Sequence, residues 1–221
     1  EFLNSEANTF IFMSSVKAVA DSSDIALDEK CIPSPISDYG KSKLLAEQYL
    51  LNNISSNKSL YILRPCMIHG PKNKGNLNLL SNLISKRIPW ILGSYNNNRS
   101  FCSVNNLCFV IKHLIDSEVI LNGIYNVSDD HPLSTNDIIG LISDSQNKKT
   151  LIWNIPKRLV SIMAKVGDTI PFPLNSERLK KLTESFVVNN KKIKKAIGSP
   201  LPVNSKEGML NTLMYFQSHN K

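Results

Sequence analysis

Two short apolar runs, each ending in polar or chain-breaking residues and separated by one helix-length segment, constrain this chain more than anything else in it. Thr9-Phe10-Ile11-Phe12-Met13 is almost wholly apolar and stops at Ser14-Ser15; Leu60-Tyr61-Ile62-Leu63-Arg64-Pro65 is closed by a proline. Runs apolar on both faces are the pattern of strands buried in a parallel sheet, and proline cannot donate to the ladder. Between them, Ser37 to about Asn53 reads as an amphipathic helix, with Ser37 or Asp38 to cap it and Leu44, Leu45 and Tyr49 as its apolar stripe. Strand, helix and strand in that order predict a βαβ unit with a right-handed crossover. Ligands of open parallel sheets bind outside the carboxyl ends of the strands. That rule puts Ser14, Ser15, Arg64 and the residues after Pro65 where chemistry happens, with Tyr39 near the same edge; Arg64 equally suits a structural ion pair at the strand end.

Tyr39 and Lys43 stand four apart, so on a helix they share a face. An ammonium beside a phenol favours the phenolate, which makes Tyr39 a candidate general base or acid. A Tyr-x-x-x-Lys pair is short enough to arise by chance, and its weight comes from the serine-ended strand before it. Further on, the pattern predicts a helix from about Leu79 to Lys86, a strand over Phe101–Val104 and a helix over Leu107–Ser117. A strand over Ile124–Val127 follows, then a helix capped by Ser134 with Asp137 at its third position. A last strand over Phe186–Val188 and a terminal helix from Lys206 to Phe216 complete the reading.

At 221 residues the chain can build one sizeable core, or one domain with a lobe attached. A net charge of +8 raises nucleic acid as a partner. The lysines are scattered, however, and the one cluster, Lys191-Lys192-Ile193-Lys194-Lys195, reads as a solvated helix face, so no nucleic acid is expected. A positive balance also suits a diphosphate-bearing metabolite. The four cysteines form no Cys-x-x-Cys pair and the four histidines lie far apart, so free thiols, a cytoplasmic location and no metal are expected. No 18-residue apolar run and no secretory leader pattern are present, so no membrane partner is expected. Nowhere does a Gly-x-Gly-x-x-Gly follow a strand, although a dinucleotide pyrophosphate needs such a turn. Either no dinucleotide binds, or the first half of a cofactor domain is missing.

Taken in order, these pieces resemble the extended short-chain dehydrogenase/reductases, specifically nucleotide-sugar 4-epimerases and the related 4-keto-sugar reductases. Phe10 to Lys17 resembles the strand carrying the family's catalytic serine, and Tyr39 lies 24 residues after Ser15. Pro35 to Lys43, followed by Ala46-Glu47, is similar to the family's Tyr-Gly-x-Ser-Lys-x-x-x-Glu block. Leu63 to Pro71 resembles its Arg-Pro…Tyr-Gly-Pro segment, with His69 in place of tyrosine. Gly93 to Asn106 resembles its diphosphate-contact stretch, with Asn106 in place of aspartate, and Lys181 to Asn189 a block that ordinarily begins with arginine.

The resemblance implies an α/β fold made of a partial Rossmann parallel sheet, last strands only, plus a smaller mixed α/β substrate-binding lobe. It assigns 1–66 and 105–128 to the cofactor domain and 67–104 and 129–221 to the nucleotide-sugar lobe. It also implies a C-terminal fragment, inactive by itself, whose partner is the missing N-terminal half. The implied activity is an NAD-dependent 4-epimerase of a UDP-hexose or UDP-N-acetylhexosamine in polysaccharide precursor synthesis. The alternatives are an NADPH-dependent reductase of a UDP-4-keto-6-deoxy sugar and a non-catalytic fragment that keeps only substrate-lobe binding. Tyr39 would be the acid/base, Lys43 its partner at the nicotinamide ribose, and Ser15 the donor to the reacting oxygen, with Ser14 the fallback if the register slips. Pro65 would touch the cofactor, NAD or alternatively NADP. Asn76, Arg99 and Lys181 would bind the nucleotide diphosphate, and pairing through the tyrosine helix would give a homodimer. A 4,6-dehydratase is set aside, because Val16-Lys17 stands where that branch needs an Asp-Glu pair.

Overall fold

The computed structural model describes residues 2–73, 76–170 and 174–219, the side chains of Asn76 and His219 excepted. Contacts divide the chain into two units, one of residues 1–68, 100–131 and 186–205, the other of 69–99, 132–185 and 206–221.

The first unit is built on a parallel sheet. Strand β1 (Thr9–Met13) pairs with β2 (Ser59–Pro65), and β2 pairs on its other side with a later strand, β5 (Gly123–Val127). The register sets Met13 beside Leu63 and Pro65 beside Val127. Helix α1 (Asp38–Asn53) is the crossover between β1 and β2. Two short strands, β3 (Met67–His69) and β4 (Phe101–Ser103), pair separately, and between them in sequence lies α2 (Asn76–Ser85). Helix α3 (Val104–Asp116) follows β4 directly.

Alternation along β2 decides what each helix covers. Leu60 and Ile62 pack with Leu50 of α1 and with Phe10 and Phe12. Tyr61 and Leu63 point the other way, into a cluster with Leu107, Val110 and Leu114 of α3. An α/β Rossmann-like sheet therefore starts with the first strand of the chain. This corrects the expectation of a partial sheet holding only last strands. That expectation leaned on the missing glycine-rich turn, and a turn motif does not determine which apolar runs pair.

Ser37 caps α1, its Oγ accepting from Gly40 N–H at 3.2 Å. The helix does not bury the stripe expected of it. Leu45 and Tyr49 are 65% and 60% exposed, whereas Gly40, Glu47 and Leu50 face inward. The face is chosen by close backbone approach at Gly40 and by a charged partner for Glu47, neither of which an apolar pattern records.

The second unit contains α2, α4 (Thr135–Ser145), α5 (Lys157–Val166), α6 (Ser176–Thr183) and α8 (Ser205–His219), the last starting at the unit boundary. The capping box expected at Ser134 and Asp137 is present in full. Helix α7 (Lys191–Ile197) belongs to the first unit and carries the lysine cluster. There Lys194 pairs with Asp130 at 2.6 Å and Lys192 donates to the Ile124 carbonyl at 2.7 Å. Phe186–Val188 makes isolated bridges, Val188 with Leu27, in place of a full strand. All four cysteines are free thiols, and no described helix is long and apolar enough to cross a membrane.

A Cβ at Gly40 would collide with the Lys17 carbonyl and stand 2.8 Å from Pro35 Cβ. Gly40→Val should therefore destabilise the chain by about 1–3 kcal/mol in urea unfolding; an unchanged midpoint would show that the two segments are not in contact.

Candidate active site

The carboxyl end of β1 distributes three consecutive residues to three tasks. The Met13 carbonyl accepts from Lys43 Nζ at 2.9 Å. Buried Ser14 donates from Oγ to Glu47 Oε1 at 2.5 Å. Ser15 is only partly buried and caps a short 3₁₀ turn, Val16–Ala18, its Oγ accepting from Lys17 N–H at 3.2 Å. A hydroxyl that accepts still has its proton to donate. Of the two serines singled out from sequence, Ser14 is committed to the interior and Ser15 faces outward.

Tyr39 and Lys43 lie on one face of α1 as expected. The ammonium of Lys43 sits 5.8 Å from the Tyr39 ring centroid and 5.2 Å from that of Phe12, within cation–π range of both. Tyr39 itself is 53% exposed, so its ring is open to a ligand. Pro65 ends β2 in a buried position. Arg64, next to it, points into the protein. It is 2% exposed and forks onto Glu47, Nε to Oε1 at 2.9 Å and a terminal nitrogen to Oε2 at 2.5 Å.

The loop that delivers α1 is held by Asp21. Its Oδ2 accepts from Ile36 N–H at 2.7 Å and Ser37 N–H at 2.8 Å. Partial burial opposes ionisation of this carboxyl, but the hydrogen bonds from Ser37 and Ile36, with Lys17 nearby, outweigh it and hold the group below its ordinary range.

In the second unit the structure brings Arg99 and Lys181 together. Buried Asn97 pins the loop before Arg99: its Nδ2 donates to Thr135 Oγ1, Leu182 O and Glu184 O, and its Oδ1 accepts from Thr135 N–H. Arg99 exchanges backbone hydrogen bonds with Leu133, and its guanidinium donates to the Lys181 carbonyl in the last turn of α6. Lys181 Nζ pairs with Glu177 at 2.5 Å across one turn of exposed helix. That hydrogen bond and the lysine's charge hold the Glu177 carboxyl below its usual range. Both partners are exposed, so an arriving anion can compete for the lysine.

Beside them lies a cleft of about 390 Å³ whose apolar wall includes Leu80, Leu83 and Leu182, with Lys86, Arg178 and Lys181 also lining it. Such a volume fits a small ligand. Arg178 was not singled out from sequence; its position, three residues before Lys181 on a helix capped by Asn175, is the signal that marks it. Asn76 opens α2, and its side chain lies outside the described residues.

Residues 2–128 match the model of the NAD dependent epimerase/dehydratase family. A curated UDP-glucose 4-epimerase of Vibrio cholerae is 30% identical over 224 residues, which cover 99% of this chain and 66% of that protein. An N-acetyl-alpha-D-glucosaminyl-diphospho-ditrans,octacis-undecaprenol 4-epimerase of Escherichia coli O157:H7 is 29% identical over 205 residues, 88% of this chain and 61% of its own length. Among solved structures, a UDP-glucuronic acid 4-epimerase from Bacillus cereus in complex with NAD aligns over 99% of this chain and 64% of its own, with a TM-score of 0.73 at 16% identity. The chain belongs to the NAD dependent epimerase/dehydratase family. It spans less than two thirds of the length of these curated relatives.

The family match starting at residue 2, with relatives aligned along nearly the whole chain, overturns the expectation of a C-terminal fragment that joins the fold only at its last strands. The inactivity inferred from that expectation has no support in the fold or the comparisons. Among the described residues no group of three metal-ligating side chains occurs.

A carboxylate whose folded pKa lies below its unfolded value stabilises the fold above the unfolded value, and the contribution disappears as pH falls through the folded one. At neutral pH Asp21→Asn should therefore melt below the parent chain, and the gap should close as pH falls below about 4. A gap that persists unchanged at acid pH would rule out a charge-dependent role.

Proposed function

We propose that this chain carries the acid/base and substrate-binding side chains of an NAD-dependent UDP-sugar 4-epimerase. One observation carries the reading. The Lys43 ammonium is anchored on the Met13 carbonyl beside the Tyr39 ring, at a strand end that also presents Ser15. The family membership and the 4-epimerase relatives support it.

The residues present fit the nicotinamide end of the cofactor. An ammonium has three donors, of which Lys43 uses one on Met13, leaving others for ribose hydroxyls. Pro65 closes β2 at the same sheet edge. When bound, the nicotinamide supplies hydride exchange at the sugar carbon. Tyr39, as phenolate, takes the proton from the sugar C4 hydroxyl and later returns it. Lys43 stabilises the phenolate, and Ser15 donates to the reacting oxygen as its charge develops. Arg99 would bind the substrate diphosphate, because a guanidinium grips phosphate oxygens in a bidentate fork. Arg178 and Lys181 add positive charge beside the apolar cleft, which suits the nucleotide. A UDP-hexose or UDP-N-acetylhexosamine is the substrate class proposed.

With NAD and UDP-glucose or UDP-N-acetylglucosamine, the chain should produce the C4 epimer, followed by proton NMR. Tyr39→Phe should cut turnover by at least about 100-fold while UDP affinity, read by calorimetry, stays at the parent value. Turnover that survives Tyr39→Phe would remove the tyrosine from the mechanism.

A further inference from the structure

Glu47 takes no part in the chemistry proposed above, yet it is 1% exposed and lies one turn beyond Lys43 on the same helix face. The two residues are gripped in order by the last residue of β1 and the one after it: the Met13 carbonyl holds Lys43 and the Ser14 hydroxyl holds Glu47. Arg64, from the neighbouring strand β2, closes the arrangement with a two-pronged contact to the same carboxylate. Two side chains, one from the end of β1 and one from β2, thus meet on one buried acid of α1.

A buried ion pair is poor evidence of stability, since well-packed apolar residues of similar volume often serve as well or better. What the pair has that apolar contacts lack is direction. Apolar burial scales with area and tolerates small rotations and slides of a helix. A guanidinium–carboxylate fork has a fixed plane and fixed distances. We infer that Glu47 is a positioning residue: the Glu47–Arg64–Ser14 clamp fixes the rotation and depth of α1, and with them where Tyr39 and Lys43 stand against the end of β1. Committing Ser14 to the clamp also leaves Ser15 as the serine that faces outward. The inference rests on the acid/base role given to Tyr39 and adds three residues that support it without touching the substrate.

The test compares the parent chain, Glu47→Gln, and the charge-free pair Glu47→Leu with Arg64→Met. The pair is included because Glu47→Gln alone strands a buried guanidinium and can unfold the chain. Glu47→Gln should keep the parent KM for the UDP-sugar and lose about 10- to 100-fold in kcat, the cost of a small misplacement of reacting groups. The double variant should regain the parent Tm without regaining kcat. Recovery of both together, or parent kcat in Glu47→Gln, would make the clamp merely structural and overturn the inference. If the parent turns over no UDP-sugar, the functional reading fails on its own, and crystal structures of the parent and double variant decide the positioning role. Lys43 Nζ withdrawn from Met13 O in the variant upholds it; an unmoved α1 overturns it.

Discussion

The carboxylate of Glu47, buried between Arg64 and Ser14, is the directional contact that ties α1 to β2 and to the end of β1. A charge taken out of water needs a partner of opposite sign and its remaining lone pairs filled. Arg64 supplies the charge and two donors, and Ser14 a third. Once that requirement is met, much else follows. The inward face of α1 must be the line through Gly40 and Glu47, so Leu45 and Tyr49 turn outward against Phe10 and Phe12 in a shallow apolar cleft. Lys43, one turn before Glu47, comes to rest on the last carbonyl of β1. Tyr39, one turn earlier still, is carried to the open end of the helix.

The second unit uses a neutral version of the same device. Asn97 is a single buried amide that joins the loop of residues 90–99 to the start of α4 and the end of α6. All of its hydrogen bonds go to backbone or to Thr135, which holds the loop without a net charge that would compete with an anionic ligand. Arg99 then emerges with its guanidinium at the C-terminal turn of α6, where carbonyl groups lack helical partners. A cation there is favoured before any substrate arrives. Arg99, Arg178 and Lys181 thus belong to one unit, with Lys181 paired to Glu177 and Arg99 held on the Lys181 carbonyl.

The parts of this arrangement legible in the sequence are those governed by local rules. Apolar runs ending in serines or proline identified β1 and β2. The Ser37 cap and the Ser134–Asp137 capping box followed from side chains reaching backbone groups three residues away. Tyr39 and Lys43 share a face because helical geometry requires it. What was illegible depended on partners distant in sequence. Glu47 matched the family block by position alone, while the partner that turns it inward, Arg64, lies on a different element. Asn97 sits in a polar stretch with no pattern of its own, and Arg178 is marked only by its spacing from Lys181 on a capped helix. The missing glycine-rich turn misled in the opposite direction: a statement about one loop was extended to the whole sheet, and the pairing of β1, β2 and β5 did not follow it.

The central claim is that the side chains assembled at the end of β1 and on α1 serve inversion at the sugar C4 position. The most direct measurement is incubation of the chain and NAD with a UDP-hexose carrying deuterium at C4, with the product resolved by NMR. Hydrogen that leaves and returns at the same carbon predicts the C4 epimer with deuterium retained. Recovery of unchanged substrate, or an epimer whose C4 label has exchanged with water, would contradict the account.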